Sequence, residues 1–232
     1  MTAAFHETRW TLVLRARGEG AEAKAALSDL CAAYYAPVVA FLRREGREED
    51  AAREMAHAFF AGLLAGGVGA PERERGRFRS YLLGALKHFL SKHRAAAGAE
   101  KRGAGAEHIP LTTETAAGLP LPSAPDAALV FDREWAFALI ARALAALEAE
   151  HAEKAAHFTA LKPWLDGGAQ CPQADAARAL GLSETAVKVA IHRLRTRFRE
   201  LIRAEVAATV NNPADAADEL RHLIAIASAA ML

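Results

Sequence analysis

The stretch "ADAARALGLSETAVKVAIHRLRTRFREL", Ala174 to Leu201, decides how this chain reads. Its first part predicts a short helix over Gln173 to Leu180, with Ala176, Ala177 and Leu180 as its apolar stripe. Gly181 comes directly after the last apolar residue, where a left-handed backbone suits glycine best. Ser183 is then the natural N-cap of a second helix, and Glu184 falls in the first turn, where the helix dipole favours an acid. In that helix Val187, Ala190, Ile191, Leu194 and Phe198 share one face, and Thr185, Lys188, His192 and Arg195 share the opposite one. A short helix, a tight turn and a longer helix make the layout of a helix-turn-helix, whose second helix enters the major groove.

Charge supports that layout. Between Ala174 and Arg203 lie seven basic residues (Arg178, Lys188, Arg193, Arg195, Arg197, Arg199, Arg203) and three acids (Asp175, Glu184, Glu200). The whole chain is nearly neutral, at +1, so positive charge is concentrated here, as phosphate contact requires. The plainer alternative is an antiparallel helix pair with a solvated basic face.

A chain of 232 residues suits one ordinary domain or two small ones and is long enough to bury a real core. Alanine, leucine, arginine and glutamate dominate, and no alternating strand pattern stands out, so the expected class is all-α. The opening "MTAAFHETRW" has no basic-then-apolar leader, and the apolar run "LIAIASAAML" is too short to span a bilayer. Cys31 and Cys171 form no CxxC pair and read as unpaired thiols in a reducing cytosol, so the expected location is cytoplasmic, without membrane insertion. His88 and His93 are five apart, off the spacing at which two ligands share a helix face. No HExxH, GxSxG or phosphate-cradling glycine loop occurs. The expectation is therefore a non-enzyme with no metal and no cofactor.

Two helical blocks flank a stretch rich in Ala, Gly, Thr and Pro that ends in Pro120, Pro122 and Pro125. It predicts a division into residues 1–95, a linker at 96–126, a second domain at 127–210 and a short helical tail at 211–232. In the first block, Leu30, Tyr34, Val38, Phe41 and Leu42 recur at helical spacing, with Pro37 predicting a kink or a fresh helix start. A further helix over about Glu49 to Leu64 turns Met55, Phe59 and Leu63 inward and leaves Glu54, His57 and Ala58 outward. In the second block Phe131, Trp135, Leu139, Ala143 and Leu147, then Phe158, Leu161 and Trp164, read as core. The tail carries Leu220, Leu223, Ile224 and Ile226 on one apolar side and is expected to dock on its own domain.

A second basic zone lies at Arg73 to Arg102, with nine basic residues against Glu74 and Glu100, and with Phe78, Tyr81, His88 and Phe89 interleaved. Basic side chains track phosphates while aromatic rings stack on unpaired bases, which is how single strands are held. Leu82, Leu86 and Phe89 read as core, with the arginines snorkelling to solvent.

Two basic helical modules joined by an irregular linker resemble the extracytoplasmic-function (ECF) sigma factors of bacterial RNA polymerase. "TRWTLVLRARG", "LCAAYYAPVVAFLRREG" and "AHAFFAGLLAG" look like that family's first conserved domain, and "RGRFRSYLLGALKHFLSKHR" looks like its promoter-melting segment. "KPWL", "AARALGLSETAVKVAIHRLRTRFRELIRAEVAATV" and "ELRHLIAIASA" look like the C-terminal domain and tail of one subgroup. The resemblance implies a transcription-initiation subunit without catalytic residues. Its partners would be bacterial core RNA polymerase and promoter DNA, duplex and melted strand, with room for an anti-sigma factor. By resemblance, polymerase binding would fall on Asp50, Glu54, His57 and Phe60. Minus-ten recognition would fall on Arg77, Phe78, Arg79, Tyr81, Lys87, His88 and Lys92. Minus-thirty-five recognition would fall on Ser183, Glu184, Thr185, Lys188, His192 and Arg195. The chain departs from the family pattern "D-A-E-D-L-x-Q-E-x-F" at "DAAREMAHAFF", where Arg53 stands for an acid and His57 and Ala58 stand for Gln and Glu. His88 and Lys92 likewise stand where many relatives carry Asn and Asp.

The alternative is a free-standing helix-turn-helix regulator that binds duplex DNA through the second block. Such a protein needs a dimerising helix to reach two half-sites, and no sustained heptad pattern occurs.

Overall fold

The computed structural model describes residues 9–65, 77–103, 126–165 and 172–229, and the chain is all-α. Arg73, Arg75, Cys171 and the Pro-rich end of the expected linker lie outside the described residues. The chain divides into two units, one from Arg9 to Trp135 and one from Ala136 onward.

The first unit is built from α1 (Arg9–Ala16), α2 (Ala21–Arg44), α3 (Glu49–Leu64), α4 (Phe78–Gly103) and the opening turns of α5 (Ala127–Glu150). Rings from three helices form its centre. Trp10 of α1 meets Phe78 and Tyr81 of α4 at 5.1 and 4.9 Å between centroids, and Tyr34 of α2 meets Phe78 at 5.1 Å. Edge-to-face rings at such distances add to the roughly 1.5–3 kcal/mol that burial of each large apolar side chain supplies. Leu12, Ala16 and Ala26 close a smaller cluster between α1 and α2. The Arg17 guanidinium donates to the Leu63 carbonyl at 3.1 Å, tying the end of α1 to the end of α3.

α2 runs unbroken through Pro37, so no fresh helix starts there. Pro37 has no N–H to offer the Ala33 carbonyl, a defect that costs about 3 kcal/mol in an isolated helix. Leu30, Tyr34, Val38, Phe41 and Leu42 are all buried around it, and that packing carries the helix across the proline. α2 is also long and apolar enough to cross a membrane by length and composition. Half of that window is buried within the protein, as in a core helix. The helix then stops at Gly46, whose φ of 86° is open to glycine at no steric cost. There the Arg47 N–H reaches the Leu42 carbonyl and the Gly46 N–H reaches that of Arg43, at 3.2 and 3.0 Å, a Schellman closure.

Two boundaries differ from the sequence-based expectation. α4 continues to Gly103, past residue 95 where the linker was expected to begin. The second unit begins at Ala136 and not at residue 127, because Phe131, Asp132 and Trp135 pack within the first unit. Asp132 and Trp135 engage Arg79 of α4, which no local sequence signal announces.

The second unit holds the rest of α5, then α6 (Ala155–Leu161), α7 (Gln173–Leu180), α8 (Glu184–Ala208) and α9 (Ala216–Ala229). Leu147, Phe158, Leu161, Trp164, Ala176, Ala177, Val187, Ile191 and Leu194 form its core. α9 packs against α8 and buries Leu223, while Ile224 turns outward at 54% exposure. Leu220 and Ile226 are half-buried, so of the four residues expected on one apolar side of the tail only Ile224 is exposed.

Candidate nucleic-acid interface

The turn between α7 and α8 follows from three residues. Gly181 takes φ 63°, ψ 29°, the Leu182 N–H donates to the Ala177 carbonyl at 2.9 Å, and the Gly181 N–H donates to that of Arg178 at 3.3 Å. This is a second Schellman closure, and it needs a residue without Cβ strain at Gly181. Ser183 then caps α8: its Oγ accepts from the Ala186 N–H at 3.2 Å. The helix it starts presents a buried side, with Val187, Ile191 and Leu194 at 5% exposure or less, and an open side.

On the open side, Glu184, Thr185, Lys188 and His192 are exposed. Thr185, Lys188 and His192 follow one another at i, i+3 and i+7, so they line a single stripe. Val189 belongs to the same stripe and is 43% exposed. An apolar residue carries no polar signal in the sequence, but its i+4 spacing from Thr185 sets it on this side, and a branched apolar side chain suits a thymine methyl. Two residues of the expected set have structural duties. The Ser183 hydroxyl is occupied as the cap, and Arg195 is half-buried with its Nε donating to the Trp164 carbonyl at 2.7 Å.

Not all of the local positive charge is open to a ligand. Arg197 is shared between Glu150 (2.6 Å) and Glu200 (2.9 Å), and Arg178 is paired with Asp175 at 3.0 Å. The hydrogen bond from Arg197 holds the Glu150 carboxyl below its ordinary value and pushes the guanidinium higher still. Lys188, Arg193, Arg199 and Arg203 are exposed along α8.

In the first unit the expected strand-opening residues separate into two groups. Lys87, His88 and Lys92 are exposed on one side of α4, beside Gly84 and Ser91. Phe78 is fully buried among Trp10, Tyr34 and Tyr81, so it is a core residue and not a stacking surface. Arg79 is 6% exposed, bonded to Asp132 at 2.5 Å with its Cζ 5.1 Å from the Trp135 ring, and likewise does not face solvent. Arg77 and Tyr81 are half-buried. The basic–aromatic pattern in the sequence mixed an inner face with an outer one.

On α3, Asp50, Glu54 and His57 are exposed at i, i+4 and i+7 and form one stripe. Phe60 is buried at 4% exposure, stacked near Tyr35, and leaves that surface set. The His57 ring stacks on Tyr35 with centroids 5.4 Å apart, and its Nε2 shares a 3.2 Å hydrogen bond with the Tyr35 hydroxyl. Arg53 is engaged by Glu49 of the same helix at 2.9 Å. Cys31 is half-exposed, and burial pushes its thiol pKa up, so it remains protonated and weakly nucleophilic near neutral pH. Among the described residues no group of three or more His, Cys, Asp or Glu gathers as a metal site.

Comparison with family models, with curated proteins and with solved structures gives no match for this chain.

Proposed function

We propose that this chain is a promoter-specificity subunit of bacterial RNA polymerase, of the ECF sigma type that its sequence resembles. The observation that carries the reading is the stripe of Thr185, Lys188, Val189 and His192 on α8. It follows a capped glycine turn and lies opposite a buried face, the arrangement a major-groove reader needs. In this reading α8 contacts the minus-thirty-five duplex, and its exposed arginines add phosphate contacts. The exposed side of α4, with Lys87, His88 and Lys92, takes the backbone of the minus-ten strand. The α3 stripe of Asp50, Glu54 and His57 meets core polymerase. The burial of Phe78 and Arg79 narrows the strand-binding set to the outer face of α4.

The test is co-elution of the full chain with bacterial core RNA polymerase on a sizing column. The expected result is a stable complex that excess housekeeping sigma factor displaces. Free migration of the chain in moderate salt rejects the proposal.

One observation favours a second reading. With Phe78 and Arg79 committed to the interior, little aromatic surface remains on α4 for capturing unpaired bases. A free-standing duplex-binding regulator would read DNA through α7 and α8 and needs no such aromatic surface on α4. Duplex binding without polymerase binding in the same experiments selects it.

A further inference from the structure

A cavity of about 870 Å³ opens in the first unit, where the end of α2, the start of α3 and the start of α5 meet. Five arginines line it: Arg43, Arg44, Arg47, Arg53 and Arg133. Three glutamates oppose them. Glu49 is taken by Arg43 at 2.8 Å and by Arg53 at 2.9 Å, Glu134 is 3.6 Å from Arg133, and Glu48 lies beside the first turn of α3. Val39, Ala40 and Val130 give the cavity an apolar part.

Arg47 lines this cavity from the turn between α2 and α3. It is half-buried, so its side chain is already partly held at the cavity wall before anything binds. Arginines gathered from three helices around a concave volume of this size suit a small ligand better than an extended chain. The planar guanidinium fork matches phosphate oxygens in pairs, and arginines on separate elements reach separate anionic groups of one ligand. The glutamates temper the overall field, so a diffuse counterion gains little there. A ligand that forms directed bonds to Arg47 and Arg133 gains more.

We propose that this cavity binds a small anion of two or more linked phosphate groups, held by Arg47 from the α2–α3 turn and Arg133 from α5. Such a ligand ties the opening of α5 to the end of α2 within the first unit. The proposal stands apart from the polymerase reading, since its test uses neither polymerase nor DNA.

The experiment is calorimetric titration of the full chain, in metal-free buffer at fixed ionic strength, with inorganic tripolyphosphate and separately with a nucleoside triphosphate. The expected result is saturable one-to-one binding of at least one of them. Arg47→Gln and Arg133→Gln should each weaken it by about tenfold or more, the loss of one charged hydrogen-bonding group. Lys154→Gln, in the other unit, should leave it unchanged. Glu134→Gln, which removes a repelling carboxylate, should tighten it, a result that no loss of folding produces. Equal affinity for both ligands assigns recognition to the phosphates alone, and tighter nucleotide binding adds the apolar wall. Binding of neither, or equal weakening by Lys154→Gln and Arg47→Gln, overturns the proposal. Binding of an oligoglutamate peptide and of neither phosphate compound also overturns it, in favour of an acidic protein segment.

Discussion

Arg79 of α4 and Asp132 of α5 meet at 2.5 Å inside the first unit, their side chains only 8% and 11% exposed, with the Trp135 ring beside the guanidinium. Two charges withdrawn from water in this way hold each other as partners. Removing one is far more costly than removing both, because the survivor stays buried without its opposite charge.

Asp132→Ala should therefore lower unfolding stability by about 3–5 kcal/mol, read by urea denaturation followed by circular dichroism. The double variant Arg79→Met with Asp132→Leu should recover most of that loss. A single variant as stable as the parent would contradict the burial assigned to the pair.

On α8, Lys188→Ala and His192→Ala should each weaken binding to a specific promoter duplex by about five- to tenfold while leaving the melting temperature in place. Arg195→Ala should do the reverse in kind. It releases the Trp164 carbonyl and costs about 1 kcal/mol of stability. Ser183→Ala should cost a similar amount through the lost cap. If Lys188→Ala and the parent bind every duplex alike, α8 is not the reader.

On α4, joint replacement of Lys87, His88 and Lys92 by alanine should reduce permanganate reactivity of the opened strand and spare duplex affinity. Tyr81→Ala is a different experiment, because that ring packs on Trp10 and Phe78. It should lower stability by about 2 kcal/mol before any effect on strand opening is read. Unchanged strand reactivity in the triple variant removes α4 from the proposed interface.

Glu150 supplies a pH signature. Its carboxyl is held below the ordinary value of 4.5 chiefly by the hydrogen bond from Arg197. A group whose folded pKa is depressed contributes fully above its unfolded value and loses that contribution as pH falls through the folded one. Both side chains are at the surface, so the effect is small and salt-sensitive. Glu150→Gln should melt slightly below the parent at neutral pH and together with it in strong acid. A gap that widens on acidification would reverse the assigned sign.

Much of the fold was legible where local chemistry decides it. α3 and α7 begin and end at Glu49–Leu64 and Gln173–Leu180, as helical spacing, Gly181 and the Ser183 cap indicate. What could not be read was which of the aromatic and basic residues in α3 and α4 turn inward. Phe60 and Phe78 carry the same sequence pattern as surface aromatics, and only the neighbours Tyr35, Trp10 and Tyr34 make them core. Arg79 looks like a phosphate contact until its partner, 53 positions away, is known. Pro37 shows the converse: the fresh helix start it allows does not occur, because the packing around it carries α2 through.

α5 lends its first turns to one unit and the remainder to the other. Anyone dividing this gene into separately expressed pieces meets that fact at once. A fragment that stops ahead of Ala127 keeps Arg79 and discards both Asp132 and Trp135, the carboxylate and the ring that meet its guanidinium. Extending the same fragment through Trp135 restores the missing counter-charge and ring. Where the coding sequence is cut thus decides whether the first unit keeps this interior pair whole.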